Sequence, residues 1–463
     1  MIINELRQKH PRFVFESFSF AYSNNTLRCK YQFTLEPDIH FEPELIIELP
    51  GNITIDAARQ QYLQNFLFHL GLVEIMSYWK AACSPTIVVK AGFLDARQIE
   101  WLNDLIINGM GEFFYVNNID PYQPGFLTLT CDTEAQPLSR FEGDLDQDHS
   151  LVLTSGGKDT ALTVELLSKA KYNFGCLLLN PTVAALQIAE AAEARFSIIA
   201  RRSIDSRLLE LNKLGYLNGH TPFSAYLAFL GVTCAVLSSS GHVIVSNERS
   251  SDEGNVEFLG RKVNHQYSKT FAFEEKFREY VYRYVASHVR YFSFLRPLYE
   301  IQIAGLLAGY PRYFGLFKSC NRNQRENNWC GRCPKCLSVF IMLYPFIQAS
   351  DVLRIFGRDL FEDESVTPVL NELTGLAGHK PFECVGTLEE TVSALFLGIK
   401  KAKLREGDTP VVWRYVEQEV LPKYPQAKDM APSVMSSWGD SHALPEKFEE
   451  LLKHHIKSGG ALS

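Results

Sequence analysis

No stretch of this 463-residue chain approaches the roughly 18 consecutive apolar residues of a membrane-spanning helix. The opening Met1-Ile2-Ile3-Asn4-Glu5-Leu6-Arg7 also lacks the basic-then-apolar order of a secretory leader. A cytoplasmic protein with no membrane partner is expected. Basic charge is scarce too: 46 Lys and Arg against 53 Asp and Glu leave a net charge of −7, which argues against a broad nucleic-acid footprint. Internal repeats and low-complexity tracts are absent, which excludes solenoids and collagen-like arrays, and no feature marks an obligate protein partner. Disulfides are a poor account of ten cysteines in a cytoplasmic chain; metal ligation and free thiols are better ones. The 46% apolar content is that of an ordinary globular protein, long enough for two or three domains.

What the chain does have is Leu151-Val152-Leu153-Thr154-Ser155-Gly156-Gly157-Lys158-Asp159-Thr160, an apolar strand-like run that breaks at two glycines and resumes with helical periodicity. The chemistry is that of anion capture. Glycines without Cβ let backbone approach a phosphate, and the following helix aims unpaired N–H groups and its positive dipole end at the anion. Ser155 and Thr160 supply hydroxyls, Lys158 is a candidate cation and Asp159 a candidate Mg²⁺ ligand. The spacing is not that of the Walker loop, and six such residues can also be a plain surface turn.

Downstream, helices expected at about Thr160–Lys171, Val183–Arg195 and Phe223–Ser238 alternate with apolar runs at Phe174–Leu179, Phe196–Ala200 and His242–Ser246. That alternation predicts an α/β fold with a doubly wound parallel sheet, whose ligands bind beyond the carboxyl ends of the strands. The polar segment Asn247–Asn255 falls at one such end. There Glu248, Asp252 and Glu253 are candidates to hold Mg²⁺ or act as bases, and Arg249 to meet an anion; a solvated charged loop is the simpler alternative. Arg201, Arg202 and Asp205, after the third strand, are weaker candidates of the same kind.

Cys320, Cys330, Cys333 and Cys336 follow a C-x9-C-x2-C-x2-C spacing. Four thiolates gathered by tight turns at Gly331 and Pro334 suit tetrahedral Zn²⁺, and a closed four-sulfur set leaves no position for substrate, so the role predicted is structural. An iron–sulfur cluster uses the same ligands.

The acidic stretch Glu142–Asp148 has linker chemistry and divides the chain into residues 1–148, an α+β unit; 149–345, the nucleotide and four-cysteine unit; and 346–463, mostly helical. In the first, Arg12–Phe20 and Arg28–Leu35 alternate with strand period across Asn24-Asn25 and predict a hairpin, followed by helices over Ile55–Ala82 and Asp95–Asn108 with a strand at Thr86–Lys90 between them. The tail His454–Ser463 is expected to fray.

The run Ser155–Thr160 resembles the Ser-Gly-Gly-x-Asp-Ser loop of the PP-loop ATP pyrophosphatases, with Thr160 in place of the usual Ser. Together with Arg296-Pro297-Leu298-Tyr299-Glu300 and the four cysteines it is similar to the 7-cyano-7-deazaguanine synthases over about residues 150–345. The whole chain resembles more closely the ATP-dependent UDP-N-acetylmuramoyl-L-alanyl-L-glutamate epimerases. That likeness rests on Phe68–Glu74, Ser77–Cys83, Asn218–Ala225, Glu248-Arg249-Ser250 with Glu253-Gly254-Asn255, Asn264–Lys269 and Phe382–Thr387. It implies a PP-loop (HUP-like) sheet, ATP and Mg²⁺ as co-substrate and cofactor, structural Zn²⁺, a UDP-N-acetylmuramoyl-dipeptide substrate, and inversion of its terminal glutamate through an acyl-adenylate in peptidoglycan precursor synthesis. The competing expectation is a nucleobase-modifying PP-loop enzyme, a nitrile synthase or tRNA thiolase.

Epimerisation needs groups that move a proton at Cα. Cys384, at a predicted turn before a helix, is a candidate thiolate base activated by the helix N-terminus, or else a small buried residue. Cys83 reads as structural. His220, His265, Tyr267 and Lys269 are open candidates.

Overall fold

The computed structural model describes residues 3–131, 134–404 and 408–458. At the N-terminus the alternating pattern forms the expected hairpin, β1 (Arg12–Ser23) with β2 (Thr26–Leu35). Asn24 and Asn25 take φ of 48° and 55°, the left-handed pair that lets a two-residue turn follow the strand twist. Strands β3 (Ile39–Phe41) and β4 (Glu44–Glu48) pair antiparallel with β2, while β5 (Thr86–Val89) and β6 (Thr128–Cys131) extend the sheet in parallel beyond β1. The single helix expected over Ile55–Ala82 is two, Ala57–Gln60 and Leu63–Trp79.

The alternating region gives β7 (Asp146–Leu153), β8 (Asn173–Leu179), β9 (Ser197–Ser203) and β10 (Ser240–Val245). A short hairpin of β11 (Val256–Phe258) and β12 (Arg261–Val263) precedes β13 (Arg290–Ser293). Five of these strands are parallel, in the order β13-β10-β7-β8-β9. The first strand of the set, β7, lies in the middle. The winding therefore reverses between β7 and β10, where the connections leave on opposite faces and open a crevice.

Side chains in these strands alternate between two apolar cores. Leu151, Leu177 and Val243 face one; Val152, Cys176, Leu178 and Ile244 face the other, and all are essentially buried. This is the period-two geometry of a sheet covered on both sides.

β4 also pairs antiparallel with β9, so eleven strands make one sheet and its hydrogen bonds continue from the region before residue 148 into the region after it. The acidic stretch is not all linker: its last residues, Asp146–Asp148, open β7, where Asp146 pairs with Ser240. Beyond Leu343 the chain is mostly helical, as expected. The expected fraying does not extend to His454–Ser458, which belong to a helix, Glu446–Ser458, anchored by the fully buried Phe448 and Leu452; the last five residues lie outside the described residues. Among the described residues no helix is long and apolar enough to cross a membrane.

Candidate active site

The loop after β7 and the ends of β8 and β10 bound a cavity of about 330 Å³ at the point of reversal. Ser155, Gly156, Asp159 and Thr160 line it with Asn180, Glu248 and Lys269. The helix Lys158–Lys169 begins there with Gly157 as its N-cap, and no side chain caps its first amides. Its donors are left for a ligand. Ser155 Oγ and Thr160 Oγ1 lie 2.9 Å apart across the loop. Gly156 is required by packing: a Cβ there would stand 2.8 Å from the Ala184 Cβ and 3.0 Å from Thr182 Oγ1.

Lys158 does not project into the cavity as the expected phosphate-binding cation. It is fully buried, contacts Asp159, and lies 3.1 Å from Glu300 Oε1, which Lys335 Nζ reaches at the same distance. A buried ammonium needs carboxylate partners, and this one has two. Burial alone would raise the Glu300 carboxyl; Lys158 and Lys335 outweigh it and hold the group well below the usual carboxylate range.

This charged chain leads toward Cys384. Its Sγ lies 3.1 Å from Lys269 Nζ, and Lys269 lines the same cavity as the Ser155–Thr160 loop. Burial pushes the Cys384 thiol up, but Lys269, His265 and Lys335 prevail and bring it down to about 7. Burial likewise disfavours the His265 imidazolium, yet Cys384 and Glu112 raise it to about 9. These shifts favour an ion pair of the two between about 7 and 9. The cause is not the one expected, a helix N-terminus. In the helix that follows, Leu388–Ala402, a capping box takes the terminal donors: Glu390 N–H donates to Thr387 Oγ1 and Thr387 N–H to Glu390 Oε2. Side-chain cations activate the thiol instead. His220 packs against His265 with ring centroids 4.2 Å apart and the rings tilted by 48°, and burial together with the His265 charge lowers it to about 3.

The four cysteines form the second centre. Their sulfurs lie within 4.8 Å of one another, with Cys330 and Cys336 3.8 Å apart and Cys333 and Cys336 3.4 Å apart. A tetrahedral zinc site with Zn–S near 2.3 Å has S···S edges of about 3.8 Å. Backbone N–H groups of Asn323 and Cys330 donate to Cys320 Sγ at 3.3 and 3.4 Å, those of Cys333 and Cys336 to the sulfurs of Cys330 and Cys333 at 3.3 and 3.4 Å. Such donors suit thiolates, and Gly331 takes φ +69° in the turn between ligands. The donor set fits a metal ion. It also connects to the cavity: Glu383, beside Cys384, accepts from Lys335 N–H at 2.8 Å and from Asn321 Nδ2 at 3.1 Å.

Other sequence candidates are occupied elsewhere. Asp252 does not line the cavity; it accepts from Phe271 N–H at 2.9 Å at the start of a helix. Arg249 donates to Ser437 Oγ at 2.7 Å and stacks over Tyr299. Glu253 pairs with Lys380. Arg202 makes a two-pronged pair with Glu74, and Asp205 caps the helix Ser206–Lys213. Tyr267 contacts Asp104, and burial raises the Cys83 thiol to about 12.

Sequence reasoning missed Glu112, Glu300 and Lys335. Glu300 and Lys335 sit inside motifs that had been singled out, but their charge partners are distant in sequence. Arg296 of the same motif is buried and donates to the Glu248 carbonyl and Ser251 Oγ, both at 2.9 Å, and to the Lys269 carbonyl, fixing two cavity segments.

Comparison with known proteins follows the same ground. The MurL N-terminal domain model matches residues 4–294 and the MurL C-terminal domain model residues 316–430. A UDP-N-acetyl-alpha-D-muramoyl-L-alanyl-L-glutamate epimerase from Micromonospora sp. is 33% identical over 449 residues, 96% of this chain and 98% of the relative. The protein of that name from Xanthomonas oryzae pv. oryzae is 32% identical over 421 residues, 88% and 91% of the two chains. That from Salinispora tropica is 33% identical over 417 residues, 88% and 89%. With both domain models matched in order and relatives aligned over nearly their whole length, this chain belongs to the MurL family.

Proposed function

We propose that the protein inverts the terminal L-glutamate of UDP-N-acetylmuramoyl-L-alanyl-L-glutamate, with ATP converted to AMP and pyrophosphate, within a nucleotide unit at residues 149–345. The observation that carries this reading is a shared cavity: Lys269, 3.1 Å from the Cys384 sulfur, lines the same space as the Ser155–Thr160 loop. Cys384 does not itself line the cavity; Lys269 is the side chain that connects its sulfur to the loop that would activate a carboxylate. The relatives named as epimerases of this dipeptide support the substrate.

The chemistry requires both. A glutamate whose amine is locked in a peptide bond cannot form a pyridoxal Schiff base. Its free carboxylate, already anionic, resists loss of the Cα proton. Transfer of AMP from ATP removes that charge and makes the enolate accessible; return of a proton to the opposite face inverts Cα, and hydrolysis of the adenylate releases the product. Ser155, Gly156, Gly157 and Thr160 hold the leaving pyrophosphate at the helix N-terminus. Asp159 and Glu248 would hold Mg²⁺, which would share the phosphate charge. Cys384 takes the Cα proton as a thiolate or returns one as a thiol, and Lys269 and Lys335 offset the enolate charge beside it. Zinc on Cys320, Cys330, Cys333 and Cys336 would be structural, keeping Lys335 and Glu383 in place. A nucleobase-modifying role is disfavoured by the contribution of Glu112, from the N-terminal region, to the surroundings of Cys384.

In D₂O with ATP and Mg²⁺, the dipeptide substrate is expected to acquire one deuterium at the glutamate α-carbon as it inverts, with AMP formed alongside. Cys384→Ala is expected to lower inversion by about 10²–10⁴-fold while leaving adenylate formation. Rapid exchange without ATP would refute the activation scheme, and full inversion by Cys384→Ala would remove the thiol from it.

A further inference from the structure

Glu112 belongs to a six-residue helix, Gly111–Val116, some 270 positions before Cys384, yet its carboxylate touches the imidazole beside that thiol. A carboxylate, an imidazole and a sulfur in series make a triad, in which the first group fixes the orientation and charge of the second and the second sets the state of the third. The loops that carry them are tied together. Asn255 accepts from His265 N–H at 2.9 Å and donates from its amide nitrogen to the Pro381 carbonyl at 2.6 Å, so one side chain spans the His265 segment and the segment leading into Cys384. Its own loop is anchored when Lys380 pairs with Glu253.

We propose that Glu112 and His265 are positioning residues that hold the Cys384 sulfur as the thiolate of an ion pair, with Asn255 keeping the two loops in register. The proposal rests on the reading of Cys384 as a proton-transfer group, and adds what keeps it in working form.

The charged groups that act most strongly on the thiol fit the assignment: Lys269, His265 and Lys335 all favour the thiolate. Glu112 favours the His265 cation. His220 packs against that ring in its neutral form, because burial, His265, Lys80 and Lys269 all oppose a second positive charge. Glu112, His220 and His265 also present ligand atoms within 4.8 Å of one another. A divalent ion there would have to displace the His265 proton and sit among Lys80 and Lys269, so the cluster is better suited to holding a proton than a metal.

The test reads the thiol directly in the full-length protein, without substrate. Iodoacetamide modification of Cys384, followed by peptide mass spectrometry across pH, should give a midpoint near 7. His265→Gln should raise it by about one unit or more, roughly a tenfold loss of thiolate at neutral pH. Glu112→Gln should raise it less, and Glu112→Asp should restore part of the shift. The acid limb of the kcat profile should move with the alkylation midpoint while KM stays near its original value, a signature that a merely structural role would not give. An unmoved midpoint in both His265→Gln and Glu112→Gln would overturn the proposal. So would a metal beyond the one expected at the four cysteines that is lost in His265→Gln. If alkylation shifts as expected but no glutamate is inverted, the triad stands and the assigned reaction falls.

Discussion

The two sulfur centres of this molecule are built from the same side chain and differ in everything around it. At Cys320, Cys330, Cys333 and Cys336 each sulfur faces other sulfurs and backbone N–H groups, an arrangement in which negative charge accumulates and a cation is needed to balance it. At Cys384 the sulfur faces an ammonium at 3.1 Å and an imidazolium, so its charge is already balanced by the protein. The first centre can recruit a metal; the second has no need of one and keeps its lone pairs for chemistry. Glu383 joins them, accepting hydrogen bonds from the four-cysteine loop while its neighbour is the reactive thiol. In the proposed scheme one centre is a fixed support and the other the group it supports.

The strongest way to break this comparison is to open the support. Structural zinc binding is worth about 10–16 kcal/mol in small zinc domains, comparable to the whole stability of a typical fold. Cys333→Ser, which removes a ligand fully buried at the start of the helix Pro334–Leu343, should therefore sharply lower the yield of folded protein. Elemental analysis of the unmodified protein should find about one zinc per chain. Iron with visible absorbance, or normal stability with no metal, would contradict the structural-zinc half of the comparison.

A smaller perturbation is pH, which should touch one centre and spare the other over a defined window. In the proposed scheme activity needs the Cys384 thiolate, lost as pH falls through about 7, and the His265 imidazolium, lost as pH rises through about 9. The kcat/KM profile should be a bell with limbs near those values. Stability follows the same signs. The thiol, depressed from its ordinary 9.0, contributes fully above 9 and loses that contribution as pH falls through 7. The imidazole, raised from 6.5, contributes fully below 6.5 and loses it as pH rises through 9. Between about 7 and 9 one contribution rises as the other falls, so their sum is roughly level across that window. A kcat/KM profile that does not fall below about 7 and above about 9 would show that the ion pair does not govern turnover.

What could be read from sequence divides along the same physical line. The loop at Ser155–Thr160, the alternation that makes the parallel strands and the hairpin at Asn24-Asn25 are local patterns, and periodicity and turn chemistry expose them. The pairing of β4 with β9 is not local: Ile46 meets Arg201, and nothing near either residue announces the other. Charge is visible in sequence but burial is not, which is why Lys158 read as a phosphate ligand although Glu300 and Asp159 hold it inside the fold. Cys384 was identified for a helix-end effect, yet its activating groups, Lys269 and His265, lie more than a hundred positions away. Glu112 carries no motif, and only the fold brings it to His265. Asp252, adjacent in sequence to strong candidates, is spent on a helix start.

The smallest expected effect comes from a third kind of cysteine, and it sharpens the comparison by removing the sulfur from neither centre. Cys29 lies in β2 with 1% of its surface exposed, packed in the apolar core of the N-terminal half, and burial pushes its thiol up to about 12. No cation offsets that burial, so the group stays neutral and acts as a small apolar side chain. Cys29→Ala should cost about 1 kcal/mol, the loss of one buried sulfur and the small void it leaves. Denaturant unfolding would measure that cost. Inversion rate, zinc content and the pH midpoint for alkylation at Cys384 should all be unchanged. If removing Cys29 altered that midpoint, the thiolate at Cys384 would be responding to the state of the core at large, and the claim that its immediate cations set its charge would fail.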